Sequence, residues 1–224
     1  MDVPAPALLL LTDGRFPAGG YAHSGGLEAS IRSGRVHDAA GLDAFLRGRA
    51  ATTGLLAGVF AAAACAAATA GDSGRVALLE AELDARTPSP ALRQVSRTLG
   101  RQLLRAVGSI QPHPRLEVLP TAPHQAIAFG AAAAAFDLDP RAAALTALYD
   151  AVSGPAAAAV KLLPIDPFSV HAALARLMPA LAELAAAAAG DAHTAPHELP
   201  APGAPLLDIG AEQHAGWTGR LFAS

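Results

Sequence analysis

The sequence predicts an all-α fold, a single compact helical domain followed by an extended C-terminal tail. Three observations predict it. Alanine, the strongest helix former, dominates a chain that is 52% hydrophobic but only 4% aromatic, and the β-branched residues that suit sheets are sparse. Ser89-Pro90, Asp139-Pro140 and Asp166-Pro167 each set a capping oxygen before a proline at the first helical position. Leu92, Val95, Leu99, Leu103 and Val107 recur every three or four residues, which marks one apolar helix face, and no segment alternates as a strand.

Taken in order, a short helix is expected over Ala5 to Thr12. The glycine-rich stretch Phe16 to Glu28 follows, with a helix from about Gly25 to Arg32 that Ser24 is placed to cap and that carries Leu27 and Ile31. Asp38 can cap a long or broken helix spanning Ala39 to Ala70. Further helices are expected over Arg75 to Arg86, Ala91 to Ser109, His124 to Phe136, Arg141 to Leu163 and Phe168 to Ala188. Gly154-Pro155 and Pro164 supply breaks or kinks. The connection Gln111 to Pro123 is rich in proline and irregular. Residues 1–189 thus read as the helical domain and 190–224 as a tail. Asp191 to Pro205 holds four prolines and no helical period, which suits a linker or an extended arm. Beyond it, Leu206, Leu207, Ile209, Trp217, Leu221 and Phe222 give a tail with little local structure the anchors to dock, on its own body or on a partner.

Charge narrows the function. A formal net charge of −3 leaves no global basic field to attract nucleic acid. Lys161 is the sole lysine, and arginine prefers forked contacts with fixed partners. Arg93, Arg97, Arg101 and Arg105 form a positive stripe, either a solvated face or a grip on an acidic partner surface. One cysteine, Cys65, excludes an internal disulfide framework and reads as a small buried filler. The start Met1-Asp2-Val3-Pro4 lacks the cationic opening of a signal peptide. The longest apolar run, Leu55 to Ala70, falls short of the ~20 strongly apolar residues of a membrane span. These features predict a soluble cytoplasmic protein with no membrane partner.

No catalytic constellation emerges. Ala22-His23-Ser24-Gly25-Gly26 nearly matches a nucleophile elbow, but that motif needs a preceding strand, so a Ser24/His23 hydrolase is the weak alternative. The glycines lack the GK[ST] of a phosphate loop. The eight histidines lack paired spacing for a tight metal site. A helical adaptor with a presented glycine-rich segment and an anchoring tail remains.

Specific blocks sharpen this. Phe16-Pro17-Ala18-Gly19-Gly20-Tyr21-Ala22-His23-Ser24-Gly25-Gly26-Leu27-Glu28 resembles the N-terminal signature of the UreF family of urease accessory proteins. Arg97 to Leu104, His124 to Phe136, Ala158 to Pro164, Pro205 to Ile209, and His214 with Arg220 to Ser224 resemble later blocks of that family in the same order. Ile165 to Phe168 departs from the family's usual Gly-Gln stretch, and Lys161 stands where arginine is common. The resemblance implies an all-helical, dimerising, non-enzymatic protein. Its implied partners are UreD (also called UreH), the GTPase UreG and apo-urease, with nickel as transient cargo and no tightly bound cofactor. Tyr21, His23, Ser24, Glu28, Arg220, Leu221 and Phe222 are the implied partner-binding residues, Arg220 being expected to donate to the carbonyls around Tyr21. The alternative is a generic helical adaptor unrelated to urease.

Overall fold

The computed structural model describes residues 6–224, so the expectations about Met1 to Pro4 and the first residue of the Ala5 helix lie outside the described residues. Among the described residues there is no strand. The helices are α1 (Pro6–Thr12), α2 (Leu27–Arg32), α3 (Ala39–Arg49), α4 (Leu55–Ala70), α5 (Ser73–Ala85), α6 (Pro90–Ile110), α7 (Gln125–Ala135), α8 (Pro140–Leu162), α9 (Pro167–Gly190) and α10 (Pro205–Ala215).

The capping grammar holds. Asp38 accepts from Gly41 N at 2.7 Å, Ser89 from Leu92 N at 3.1 Å, Asp139 from Ala142 N at 2.7 Å and Asp166 from Phe168 N at 3.2 Å. Each satisfies one orphan donor of a first turn. Pro155 does not end α8, which runs through it. The helix over Ala39–Ala70 is neither simple nor broken: α3 passes into α4 through one π-turn, Ala50–Gly54.

α4 lies at the centre and packs on α5, α7, α8 and α9. Its alanines let backbones meet. A Cβ on Gly130 of α7 would lie 2.4 Å from the Ala61 carbonyl oxygen, so only glycine permits this crossing. Phe60, Ile127, Leu148 and Leu181 fill the core around it with no exposed surface. Cys65 is buried, as expected of a filler, and burial pushes its thiol up to about 12.

Among the described residues three helical stretches could cross a membrane by length and composition: Ala39–Ala70, Pro140–Leu162 and Pro167–Gly190. This corrects the judgement from Leu55 to Ala70 alone, because the π-turn fuses that run to α3. The first two bury most of their apolar stretch in the bundle (67% and 61%), whereas α9 buries only 28% and leaves Phe168 and Met178 exposed.

Half of the arginine stripe is spent within the chain. Arg97 bridges Glu80 at 2.9 Å and Asp84 at 2.5 Å and donates to the Ala122 carbonyl. Arg93 donates to the carbonyls of Thr87 and Pro88; Arg101 and Arg105 stay exposed. His124, wholly buried, joins the Arg97 network through Ser96 Oγ and Asp84, both at 2.9 Å. Burial and the adjacent Arg97 hold its pKa below the ordinary value despite Asp84.

The proline-rich stretch after α9 is irregular, as expected, but it is pinned. Arg75 donates to the carbonyls of Ala192 and Thr194, and Arg86 to those of Pro196, His197 and Leu199. The expectation of a tail with little local structure is corrected by α10. Its N-cap position is Ala204, which has no capping oxygen, so the local signal is missing. Instead α10 is held from outside: Glu212 takes the Ser89 hydroxyl and the Ala91 N–H, placing a carboxylate at the N-terminus of α6.

Candidate functional site

The glycine-rich segment folds as two tight turns around a short 3₁₀ turn, Gly20–Ala22. Gly25 and Gly26 take φ of +60° and +88°, a region that disfavours side chains. A Cβ on Gly25 would lie 2.9 Å from Pro155 Cγ, and one on Gly26 would lie 3.0 Å from Leu207 of α10. The turn is therefore wedged between α8 and the tail. Ser24 contributes to capping as expected: its Oγ accepts from Glu28 N at 3.2 Å, although the N-cap position itself is Gly26.

The tail closes on this segment. Ser24 N and Oγ both donate to the Ser224 main-chain oxygen, at 2.6 and 2.8 Å, and Ala223 N donates to Ala22 O at 2.8 Å. His23 Nδ1 lies 2.7 Å from Ser224 Oγ. Burial lowers the His23 pKa.

Glu28 organises the closure. Its Oε1 accepts from Leu221 N, and its Oε2 accepts from Phe222 N and meets His214 Nε2, at 3.1, 3.1 and 3.0 Å. Burial alone would push its carboxyl up. The three tail donors outweigh that and hold it below the usual value. Phe222 is buried, and Lys161 Nζ lies 6.0 Å from its ring centroid. Trp217 sits between the Arg32 guanidinium, 4.4 Å from its ring, and the His214 ring at 5.0 Å.

The predicted residues therefore divide. Ser24, Glu28 and Phe222 are buried in the closure, and His23 is half-buried. Tyr21 and Leu221 point outward, 76% and 72% exposed. Arg220 is exposed as well, and the expected clamp on the Tyr21 turn is not formed: its guanidinium reaches only the Ala223 carbonyl, at 3.5 Å. Arg220 turns to its own tail instead, and three carbonyls of the turn already have a backbone donor. Gly19 O accepts from Ala22 N, Gly20 O from His23 N, and Ala22 O from Ala223 N. Sequence reasoning named Glu28 but not its partner His214, whose only signal was its place in the C-terminal block. The hydrolase alternative fails on geometry, because the Ser24 hydroxyl is buried and committed while His23 faces Ser224.

Behind the turn lies a cavity of about 550 Å³, bordered by Tyr21, His23, Arg49, Gln125 and Asp150. Gln125 Nε2 donates to Asp150 at 3.1 Å, and burial pushes the Asp150 carboxyl up to about 6. Among the described residues no group of three or more His, Cys, Asp or Glu side chains is arranged to hold a metal ion.

A family model described as UreF matches residues 36–178. The chain belongs to the UreF family. It is 41% identical over 220 residues to the urease accessory protein UreF of Mycolicibacterium vanbaalenii, 97% of each chain being covered. It is 39% identical over 217 residues to that of Mycobacterium marinum and 37% identical over 220 residues to that of Mycobacterium tuberculosis H37Rv, again with 97% of each chain covered. The UreF model match lies between the signature and the tail, whereas the similarity to the relatives reaches nearly end to end. As a UreF-family protein the chain is a urease accessory protein and not an enzyme. The generic-adaptor alternative falls with that.

Proposed function

We propose that this chain bridges UreD (UreH) and the GTPase UreG, so that nickel is delivered to apo-urease. It acts in the cytoplasm as a homodimer, with nickel as passing cargo rather than a resident cofactor. The observation that carries the reading is the closure itself. The tail is latched onto the signature by buried groups, and the residues it leaves outside, Tyr21, Arg220 and Leu221, flank the Ala22–Ala223 hydrogen bond. Exposed aromatic, arginine and leucine side chains on a pinned backbone are suited to a partner surface. Ser24, Glu28 and Phe222 serve that surface from beneath, and His23 stands at its edge. The exposed apolar face of α9, with Phe168 and Met178, supports self-association. Phe168 belongs to the stretch that departs from the family pattern, which presents Phe168 outward while its first residue, Ile165, packs against the core.

Co-expression with UreD and UreG candidates, followed by affinity capture and size-exclusion chromatography, tests this. A complex containing all three chains is expected. Capture of neither partner would overturn the reading.

A further inference from the structure

Pro155 has no N–H, so the Ala151 carbonyl four residues back in α8 loses its regular i→i−4 hydrogen bond. Arg49 supplies one from outside: its Nε donates to Ala151 O at 2.6 Å. Arg49 closes α3 at the point where the helix widens into the π-turn, a distortion that recurs at functional sites. The same guanidinium supports the signature. A Cβ on Gly25 would sit 3.1 Å from Arg49 Nη2 and 2.9 Å from the Pro155 ring. Asp150 stands beside the Ala151 carbonyl in sequence and borders the cavity with Arg49, Tyr21 and His23. Its Oδ1 would lie 3.8 Å from a Cβ on Gly20. One charged residue, one proline and one carboxylate thus form the seat beneath both turns of the glycine-rich segment.

The geometry points to Arg49 as a positioning residue for partner recruitment: it fills the hydrogen-bond vacancy left by Pro155 and carries the Gly25–Gly26 turn, which fixes the outward stance of Tyr21. This rests on the bridging role proposed above. Arg49 itself touches no partner. Burial lowers its pKa to about 10, with Asp150 opposing the change, so it stays charged at neutral pH.

The test separates holding the fold together from setting the turn. Arg49→Met removes the outside donor to Ala151 O, whereas Pro155→Ala restores the helix's own N–H to that carbonyl. The double variant therefore repairs the hydrogen bond without the seat. The expected result is a tenfold or greater loss of captured UreD and UreG in Arg49→Met, partial rescue in Arg49→Lys, and recovery of the thermal midpoint but not of recruitment in Arg49→Met/Pro155→Ala. Amide exchange at Gly25 to Glu28 should quicken at least tenfold in both Met variants. Recruitment that recovers with the midpoint in the double variant makes Arg49 merely structural and overturns the inference, as does wild-type recruitment by Arg49→Met. If the single variant does not fold, the double variant and Arg49→Lys decide the question. Failure of the wild-type chain to capture either partner sinks the bridging role, and the Arg49 inference with it; wild-type capture unaffected by the Arg49 variants sinks the inference alone.

Discussion

Two histidine–carboxylate pairs, each with a buried imidazole, hold this molecule, and they are built differently. His124 meets Asp84 at 2.9 Å inside a web that also contains Glu80, Ser96 and Arg97, all drawn from α5, α6 and the start of α7. His214 meets Glu28 at 3.0 Å across 186 residues, and the other two donors to that carboxylate are backbone N–H groups of the tail. In the web each group has several partners, so losing one leaves others. In the closure one carboxylate collects three donors, while the Ser24–Ser224 and Ala22–Ala223 hydrogen bonds fasten only the last two residues. The body is tied by a shared web, and the tail by separate contacts of which Glu28 makes the most.

Removing Glu28 should have the largest effect. Glu28→Ala leaves a buried imidazole, the buried Phe222 N–H and the part-buried Leu221 N–H unpaired, a loss of about 3 to 5 kcal/mol by analogy with broken buried pairs. The tail should come free while helicity of the body persists, seen as a red shift of the single tryptophan, Trp217, and protease cleavage after α9. A fluorescence spectrum unchanged from wild type would refute a leading role for Glu28. Arg97→Met should cost less, about 1 to 3 kcal/mol, because Glu80 keeps the His124 N–H and Asp84 keeps the ring. It should lower the thermal midpoint with Trp217 undisturbed; a tail released by this change would mean that the two networks are coupled.

Acid should distinguish the closure next. The Glu28 carboxyl is held below its ordinary 4.5, so the stability it contributes is complete above that value and is lost as pH falls through the lower folded value. His124, held below 6.5, weakens the body from about that pH downward, because the unfolded chain takes up the proton first. His23, whose pKa is lowered by burial at the Ser224 contact, loosens the end of the tail over the same range. The thermal midpoint should therefore decline below about pH 6.5, while full release of Trp217 waits for the Glu28 step below about 4.5. Full release of Trp217 already complete by about pH 5.5, before Glu28 takes up its proton, would contradict the assignment. The smallest effect on the fold is expected from Arg220→Ala, within ~0.5 kcal/mol for an exposed side chain. Capture of UreD should nonetheless fall if Arg220 faces a partner, and full capture by both this variant and one lacking the residues after Arg220 would remove it and the tail end from the proposed surface.

What the sequence revealed follows the range of each interaction. Ser89, Asp139 and Asp166 announced their helices because a cap and a following proline act within three residues. The start of α10 was hidden because Ala204 offers no cap and its support, Glu212 on Ser89, comes from a residue more than a hundred positions away. The arginine stripe on α6 was visible as a period, yet nothing local said that Arg97 would turn inward to Glu80 and Asp84. At the site, the glycines marked where backbone must bend, and Glu28 was among the residues named. Its partner His214 and the seat at Arg49 depend on the crossing of distant helices. Arg220 attracted attention because of its chemistry, but chemistry alone could not show that it would turn to its own tail, with three carbonyls of the turn already given a backbone donor.

The pinning of the irregular stretch by Arg75 and Arg86 also has an entropic side. Bringing His214 to Glu28 in a free chain would close a loop spanning 186 residues. With Leu199 O already held by Arg86, the segment left to close is roughly fifteen residues. With the body folded the free tail would otherwise start at Gly190, where α9 ends, roughly 24 residues from His214; loop-closure cost grows with the logarithm of length, so the pins lower it by about 0.4 kcal/mol, roughly twofold in the local concentration of tail over signature. Two guanidiniums at the ends of α5 thereby help set how often the presented surface is open.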